Sequence, residues 1–292
     1  MGVNGIPFLK MNGLGNNFVV FDSREPLPVL SREQIAMFAR DINFDQMITL
    51  EKSPLGVDLF MRINNADGSE VSACGNATRC IGRLLMEENG AENATIQTNA
   101  GLLYAYKTED PQRITVDMGT PKLGWEDIPL SEEFRDTRAI ELQIGPIDDP
   151  ILDSPSVVNM GNPHAIFWVE DVNGYDMGRI GPLLEFHPIF PEKANISIAA
   201  ITGQNELTLR VWERGVGLTK ACGTAACAAG VAAVRKNFKQ LPGRKNTIIL
   251  PGGPLEIEWR QSDEHVLMTG DTEFEFEGVL DPETLSWERI AA

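Results

Sequence analysis

Short apolar runs and alternating runs dominate the chain, and only a few stretches repeat at helical spacing. Residues 18–21 read as a buried strand and residues 58–63 alternate as another; 95–97, 101–107 and 113–118 follow as strands. Ser31-Arg32-Glu33-Gln34 has the polar cap of a helix start, with glutamine three residues on, and that helix runs to about Arg40. After Cys74 a second helix is expected: Cys80, Ile81, Leu84 and Leu85 recur at helical spacing until Asn89-Gly90 stops it. The second half opens near Gly119-Thr120-Pro121 and repeats the plan, with strands at 156–160, 165–169, 195–200 and 206–212. A helix through residues 225–234 and strands at 247–250, 255–259 and 265–269 complete it. That helix is small and apolar on every side, so other structure should wrap it. Residues 121–153 are the least regular stretch. Many strands with one buried helix per half predict an α+β fold in which a curled, mostly antiparallel sheet surrounds each central helix.

The two halves also match residue by residue. Arg62 leads through Asn65-Ala66-Asp67-Gly68-Ser69-Glu70 to Cys74-Gly75-Asn76, and Arg210 leads through Glu213-Arg214-Gly215 to Cys222-Gly223-Thr224. The cysteines stand 148 residues apart, about half of the 292-residue chain. Gly15-Asn16-Asn17-Phe18-Val19-Val20-Phe21 echoes Gly161-Asn162-Pro163-His164-Ala165-Ile166-Phe167 at nearly the same offset. At this period a repeat means a duplicated domain rather than a solenoid. The expected division is residues 1–121 with 269–292 around Cys74, and residues 122–268 around Cys222. Two similar halves that each offer one thiol suggest a symmetric pair of acid–base groups, suited to a reaction whose two directions are mirror images.

Position distinguishes these cysteines from the other two. Cys74 and Cys222 stand where helices begin, and a thiol facing the positive end of a helix dipole is biased toward thiolate. Gly75 and Gly223 let a ligand approach the backbone, whose free N–H groups suit a carboxylate. Cys80 and Cys227 lie on apolar helix faces and read as core residues.

Composition narrows the classes of partner. A net charge of −17 argues against nucleic acid or an anionic membrane surface, and the bland reading of the acidity is a solvated surface. No run of apolar residues is long enough for a membrane span. The start, Met1-Gly2-Val3-Asn4-Gly5-Ile6-Pro7, lacks the pattern of a secretory signal, and Ile6 stands where a myristoylation motif has Ser or Thr. A cytoplasmic location is expected. Four cysteines make no disulfide framework, and neither they nor the three histidines show metal-ligand spacing, so no metal site is expected.

With these residues in view, the chain resembles the diaminopimelate epimerases. The resemblance runs from Lys10-Met11-Asn12-Gly13-Leu14-Gly15-Asn16-Asn17-Phe18 through the Cys74 block and Met160-Gly161-Asn162-Pro163-His164 to the Cys222 block, nearly the whole chain in the family's order. It implies two pseudo-symmetric halves with the active site in the cleft between them. It implies interconversion of LL- and meso-2,6-diaminopimelate, a small-molecule substrate, without pyridoxal phosphate, metal or other cofactor, in lysine and peptidoglycan synthesis. One of Cys74 and Cys222 would remove the α-proton as thiolate while the other delivers a proton to the opposite face. His164 and Glu213 would tune the thiols and contact the reacting amine. Asn16, Gln46, Asn65, Asn162, Asn195, Glu213 and Arg214 match substrate-binding positions; neutral amides can bind both ammonium and carboxylate, and an arginine can clamp a distal carboxylate. Gly75, Asn76, Gly223 and Thr224 would hold the proximal carboxylate. A homodimer is left open as an assembly.

Two departures from the family's pattern stand out. Asn17 occupies a place where the family usually has aspartate, and Asp41-Ile42-Asn43-Phe44 replaces a glycine-rich stretch before Asp45-Gln46. The latter segment is read as a mobile flap. The alternatives are a proline or hydroxyproline racemase, against which Arg214 with Asn65, Asn162 and Asn195 argues, and a binding protein without turnover, against which two intact thiols argue.

Overall fold

The computed structural model describes residues 5–290, so the reading of the amino terminus falls in part, at residues 1–4, outside the described residues. The chain forms two units, residues 5–116 with 270–290 and residues 117–269. The first unit starts with a hairpin of β1 (Ile6–Gly13) and β2 (Asn16–Asp22). Helix α1 (Arg32–Ile42) then returns the chain so that β3 (Gln46–Glu51) lies parallel to β2. Strand β4 (Leu59–Asn65) pairs antiparallel with β3 and carries the short β5 (Glu70–Val71) at its end. Helix α2 (Gly75–Asn89) crosses to β6 (Asn93–Thr98), parallel to β4, and β7 (Gly101–Lys107) and β8 (Arg113–Asp117) follow.

Local sequence explains both helices of this unit. Ser31 and Gln34 form a reciprocal capping box at the start of α1, and Asn43 ends it in the left-handed conformation. Its stripe of Ile35, Phe38, Ala39 and Ile42 packs on Phe8, Phe21, Phe44 and Met47. Helix α2 lies against β1, β6 and β7 and buries Ala77, Cys80, Ile81, Leu85 and Met86. The segment read as a flap is part of this frame. It consists of the end of α1, the buried Phe44 and the start of β3, and Gln46 is paired on both sides, with Phe18 and with Asn65.

The second unit has a two-stranded pair, β9 (Gln143–Ile144) with β10 (Leu152–Asp153), inside the stretch that looked irregular. The plan of the first unit then recurs. Strands β11 (Ser156–Asn159) and β12 (Pro163–Trp168) are antiparallel, and α3 (Met177–Glu185) crosses to β13 (Asn195–Gly203), parallel to β12. Strand β14 (Glu206–Glu213) carries the short β15 (Gly217–Thr219). Helix α4 (Gly223–Lys236) crosses to β16 (Lys245–Leu250), parallel to β14, and β17 (Gly253–Trp259) and β18 (Val266–Asp271) close the series. Helix α4 touches β11, β12, β13, β14, β16 and β17, as its uniformly small, apolar surface predicts. Both central helices press on their sheets at a glycine: a Cβ on Gly82 would come within 2.5 Å of Ala105, and one on Gly230 within 2.7 Å of Ile257.

The chain returns to the first unit with β19 (Glu273–Leu280) on β1 and β20 (Trp287–Arg289) on β19. The fold is therefore α+β, two pseudo-symmetric halves that are mostly antiparallel, each with one parallel pair on either side of its central strands. Among the described residues no helix is long and apolar enough to cross a membrane.

Candidate active site

In the second unit the candidate residues converge on the start of α4. Cys222 is the N-cap of that helix and is 6% exposed. Its thiol lies 3.5 Å from the Thr224 hydroxyl, receives the Ala225 N–H and shares a hydrogen bond with the Glu213 carboxyl. Glu213 ends β14; its Oε1 accepts the Thr219 hydroxyl at 2.5 Å. The next residues form a turn in which Gly215 has φ 75°. Asn195, the first residue of β13, fixes that turn: its Oδ1 accepts the Arg214 N–H at 3.0 Å and its Nδ2 donates to the Pro163 carbonyl. Arg214 reaches the Glu192 carbonyl with Nη1 at 2.9 Å.

His164 is fully buried in β12, with its Nε2 2.8 Å from Asn162 Oδ1 and its Nδ1 without a partner. Burial, helped by the Arg214 guanidinium, lowers its pKa to about 3, so the ring is neutral. With Nε2–H donating to Asn162, Nδ1 presents a bare lone pair. Glu213 is pushed above the usual carboxylate range by burial, against the pull of its hydrogen bonds to Thr219 and Cys222.

The helix end does not make Cys222 a thiolate in this arrangement. Burial, then the Glu213 charge, push the thiol well above its ordinary range. The magnitudes explain the outcome: a helix dipole supplies at most about 2 kcal/mol, whereas full burial shifts a group by up to about 3–5 pKa units. Cys80 is driven the same way, to about 12, by burial.

The first unit builds the counterpart around α2. Cys74 is the N-cap of α2 with φ −148° and ψ 112°, close to the −134° and 107° of Cys222, and it is partly exposed. The first intrahelical bond runs from Thr78 N–H to the Cys74 carbonyl, so the helix does not use the N–H groups of Gly75 and Asn76; in α4 the bond from Ala226 N–H to the Cys222 carbonyl does the same for Gly223 and Thr224. Asn65, at the end of β4, accepts from Gln46 Nε2 and donates to Ser69 Oγ, both at 3.1 Å. The side-chain oxygens of Asn16, Gln46 and Asn76 are buried without a partner. Buried acceptors left open in this way suit a ligand that donates, such as an ammonium group. Asn17 still does an aspartate's accepting work toward Lys10, at 3.2 Å, and Asn12, at 3.0 Å.

The strand registers relate the two sets. Phe18 pairs with Gln46 and Gln46 with Asn65; His164 pairs with Asn195, which stands one residue before the Ile196–Trp212 pair and so beside Glu213. Gln46 and Asn195 hold equivalent places, and so do Asn65 and Glu213. Two residues escaped the sequence reading, Thr219 and Glu185. Thr219 looks like any strand hydroxyl until the register sets it beside Glu213. Glu185, at the end of α3 and 3% exposed, accepts Gly215 N–H at 2.9 Å and Trp212 Nε1–H at 2.7 Å. A cavity of about 480 Å³ in the first unit, walled by Leu27, Leu30, Ile35, Met47 and Arg62, includes none of the candidate residues. Among the described residues no cluster of His, Cys, Asp and Glu gathers as a metal site.

The comparison with known proteins decides the family. The family model described as diaminopimelate epimerase matches residues 8–124 and 156–275, which include every candidate residue named above. The chain belongs to the diaminopimelate epimerase family. It is 56% identical over 281 residues to the diaminopimelate epimerase of Bradyrhizobium sp. strain BTAi1, covering 94% of this chain and 95% of that relative. It is also 56% identical over 281 residues to that of Rhodopseudomonas palustris strain CGA009, covering 96% and 94%. Relatives of this kind make the chain an isomerase, an epimerase. Solved structures share the fold at lower identity. A predicted epimerase from Pseudomonas aeruginosa has a TM-score of 0.66 at 16% identity, covering 94% of this chain and 99% of that one. A hydroxyproline epimerase from Agrobacterium vitis has a TM-score of 0.59 at 15% identity, covering 94% and 93%.

Proposed function

We propose that this member of the diaminopimelate epimerase family interconverts LL- and meso-2,6-diaminopimelate with Cys74 and Cys222 as two bases acting on one α-carbon. The observation that supports this best is the matched placement of the two cysteines, each capping the central helix of its half with nearly the same backbone angles. One sulfur, as thiolate, takes the α-proton. The electron pair left on carbon delocalises into the α-carboxylate, held by N–H groups of Gly75, Asn76, Gly223 and Thr224, where fixed donors stabilise developing charge. The other thiol gives its proton to the opposite face, and the roles exchange in the reverse direction. Neutral His164 accepts from the reacting ammonium through Nδ1, and Glu213 holds the thiol hydrogen of Cys222. Asn16, Gln46, Asn65, Asn162, Asn195 and Arg214 bind the distal amino-acid head. The reading needs no cofactor and sets the enzyme in the cytoplasm, in lysine and peptidoglycan synthesis.

The test is incubation with LL-diaminopimelate in D₂O, followed by NMR and chiral chromatography. The expected result is the meso isomer with deuterium at the inverted carbon. Cys222→Ala should abolish turnover, because one face loses its proton carrier; near-parental turnover in that variant contradicts the two-base scheme. Turnover of proline or hydroxyproline in place of diaminopimelate would move the substrate assignment to the racemases of this fold.

A further inference from the structure

We propose that Thr219 is a positioning residue: its hydroxyl holds the Glu213 carboxylate where that carboxylate accepts the Cys222 thiol hydrogen, keeping the proton on sulfur until a substrate carbanion takes it. The inference rests on the two-base reading for its catalytic meaning, but the geometry lies wholly within the second unit.

Strand pairing creates the contact. Glu213 stands opposite Gly217, and Thr219, two residues further along β15, is its diagonal neighbour on the same face. From that place the threonine hydroxyl reaches Glu213 Oε1 at 2.5 Å. A carboxylate is acceptor-only. With one hydroxyl anchored on Oε1, its remaining accepting capacity is aimed at the sulfur three residues beyond Thr219. Burial works against the charge on Glu213, and the Thr219 and Cys222 hydrogens work for it. The ionisable or charged groups bearing on this pair are few: Glu213 on β14 and Cys222 at the head of α4 act on each other, and Arg214 acts on His164 of β12.

The other half of the molecule supplies the control. There the equivalent positions are Asn65 and Val71, and the Asn65 amide is held by Gln46 and Ser69 instead. A hairpin of the same design therefore forms with valine at this place. The hydroxyl of Thr219 is not what the turn needs in order to fold; it accompanies the carboxylate that only this half contains.

The experiment compares Thr219→Val and Thr219→Ser with the parent protein. Two quantities are read: steady-state turnover of diaminopimelate, and the rate of Cys222 alkylation by iodoacetamide against pH, followed by peptide mass spectrometry without substrate. Thr219→Val should lower kcat about tenfold or more with KM within about twofold, at the low end of what a misplaced acid–base group costs. Thr219→Ser should stay within about threefold of the parent, since the donor remains. In Thr219→Val the carboxylate either takes up a proton or turns away. Either change weakens the negative charge beside sulfur, so the alkylation midpoint should fall by about half a pH unit or more. The proposal is overturned if Thr219→Val keeps turnover within about twofold, if the serine variant falls as far as the valine variant, or if the alkylation midpoint does not move. The alkylation arm needs no substrate. A parent protein that fails to turn over diaminopimelate would overturn the functional reading and leave Thr219 to be judged on the thiol alone.

Discussion

A histidine sealed among strands has to hold its ring neutral, and at His164 that requirement becomes a dependence of stability on pH. The unfolded chain protonates this residue near 6.5, whereas the folded protein does so only near 3. Between those values the unfolded state binds a proton that the folded state refuses, so acid favours unfolding. The contribution is intact above about 6.5 and is lost as pH falls toward 3, at up to about 1.4 kcal/mol per pH unit. Urea midpoints measured through this range should fall with pH in the parent and fall less steeply in His164→Gln. Equal slopes would mean that His164 is not the group being titrated. The same neutrality bears on catalysis. A ring that does not ionise in the working range cannot be the source of either limb of a pH–rate profile, which leaves the two thiols and Glu213 as candidates.

The β14–β15 hairpin presents Glu213, Arg214 and Thr219, and α3 is the element that steadies it. Gly181 of α3 lies directly under the Trp212 ring, where a Cβ would come within 2.4 Å, and Glu185 at the helix end takes two N–H groups of the hairpin. Glu185→Gln replaces one accepting oxygen with a donor and sets N–H against N–H in a buried place. It should cost about 1–3 kcal/mol of stability and, by loosening the turn that sets Arg214, raise KM for diaminopimelate more than it lowers kcat. Chemical denaturation and steady-state kinetics check the two halves of that statement; a fall in kcat alone would show that the clamp does not act through substrate binding. The sequence hid this element for a physical reason. Helix α3 has two glycines and a proline within its nine residues, Met177–Glu185, so the local signals speak against a helix that tertiary packing on β13 and β14 sustains. Helices α2 and α4 were legible because each combines apolar spacing or uniform small residues with a clear start at a cysteine and glycine. Strand β3 went unassigned because its pattern, Gln46-Met47-Ile48-Thr49-Leu50-Glu51, neither alternates nor runs unbroken, and the resemblance drew attention to Gln46 as a ligand rather than as a paired strand residue. Cys74, Cys222, Gln46 and Asn195 could be picked out from the chain, but the equivalence of Gln46 with Asn195 emerged only from strand register.

Duplication gives the molecule two helices capped by cysteine, yet the surroundings of the thiols have diverged. In one half Phe18, Asn65 and Val71 occupy the places that His164, Glu213 and Thr219 fill in the other. The second half thus holds a titratable acid against its thiol and an imidazole two strands away from that acid, and the first has an apolar ring and amides. Cys222 is 6% exposed and is pushed toward the protonated form by burial and by Glu213, whereas Cys74 is partly open to solvent. Only thiolate reacts with an alkylating agent at an appreciable rate, and it must also be reached. Brief treatment of the substrate-free protein with iodoacetamide near neutral pH should therefore label Cys74 at least about tenfold faster than Cys222. Cys80 and Cys227, both fully buried, should be labelled only after unfolding. Peptide mapping of a time course measures all four rates at once. Activity lost in step with Cys74 labelling, while Cys222 remains unmodified, would mean that the more open thiol is indispensable on its own and that the two halves, alike in fold, enter the reaction from different protonation states. Labelling of Cys222 first would reverse that assignment, because it would show that the helix end outweighs burial at this thiol.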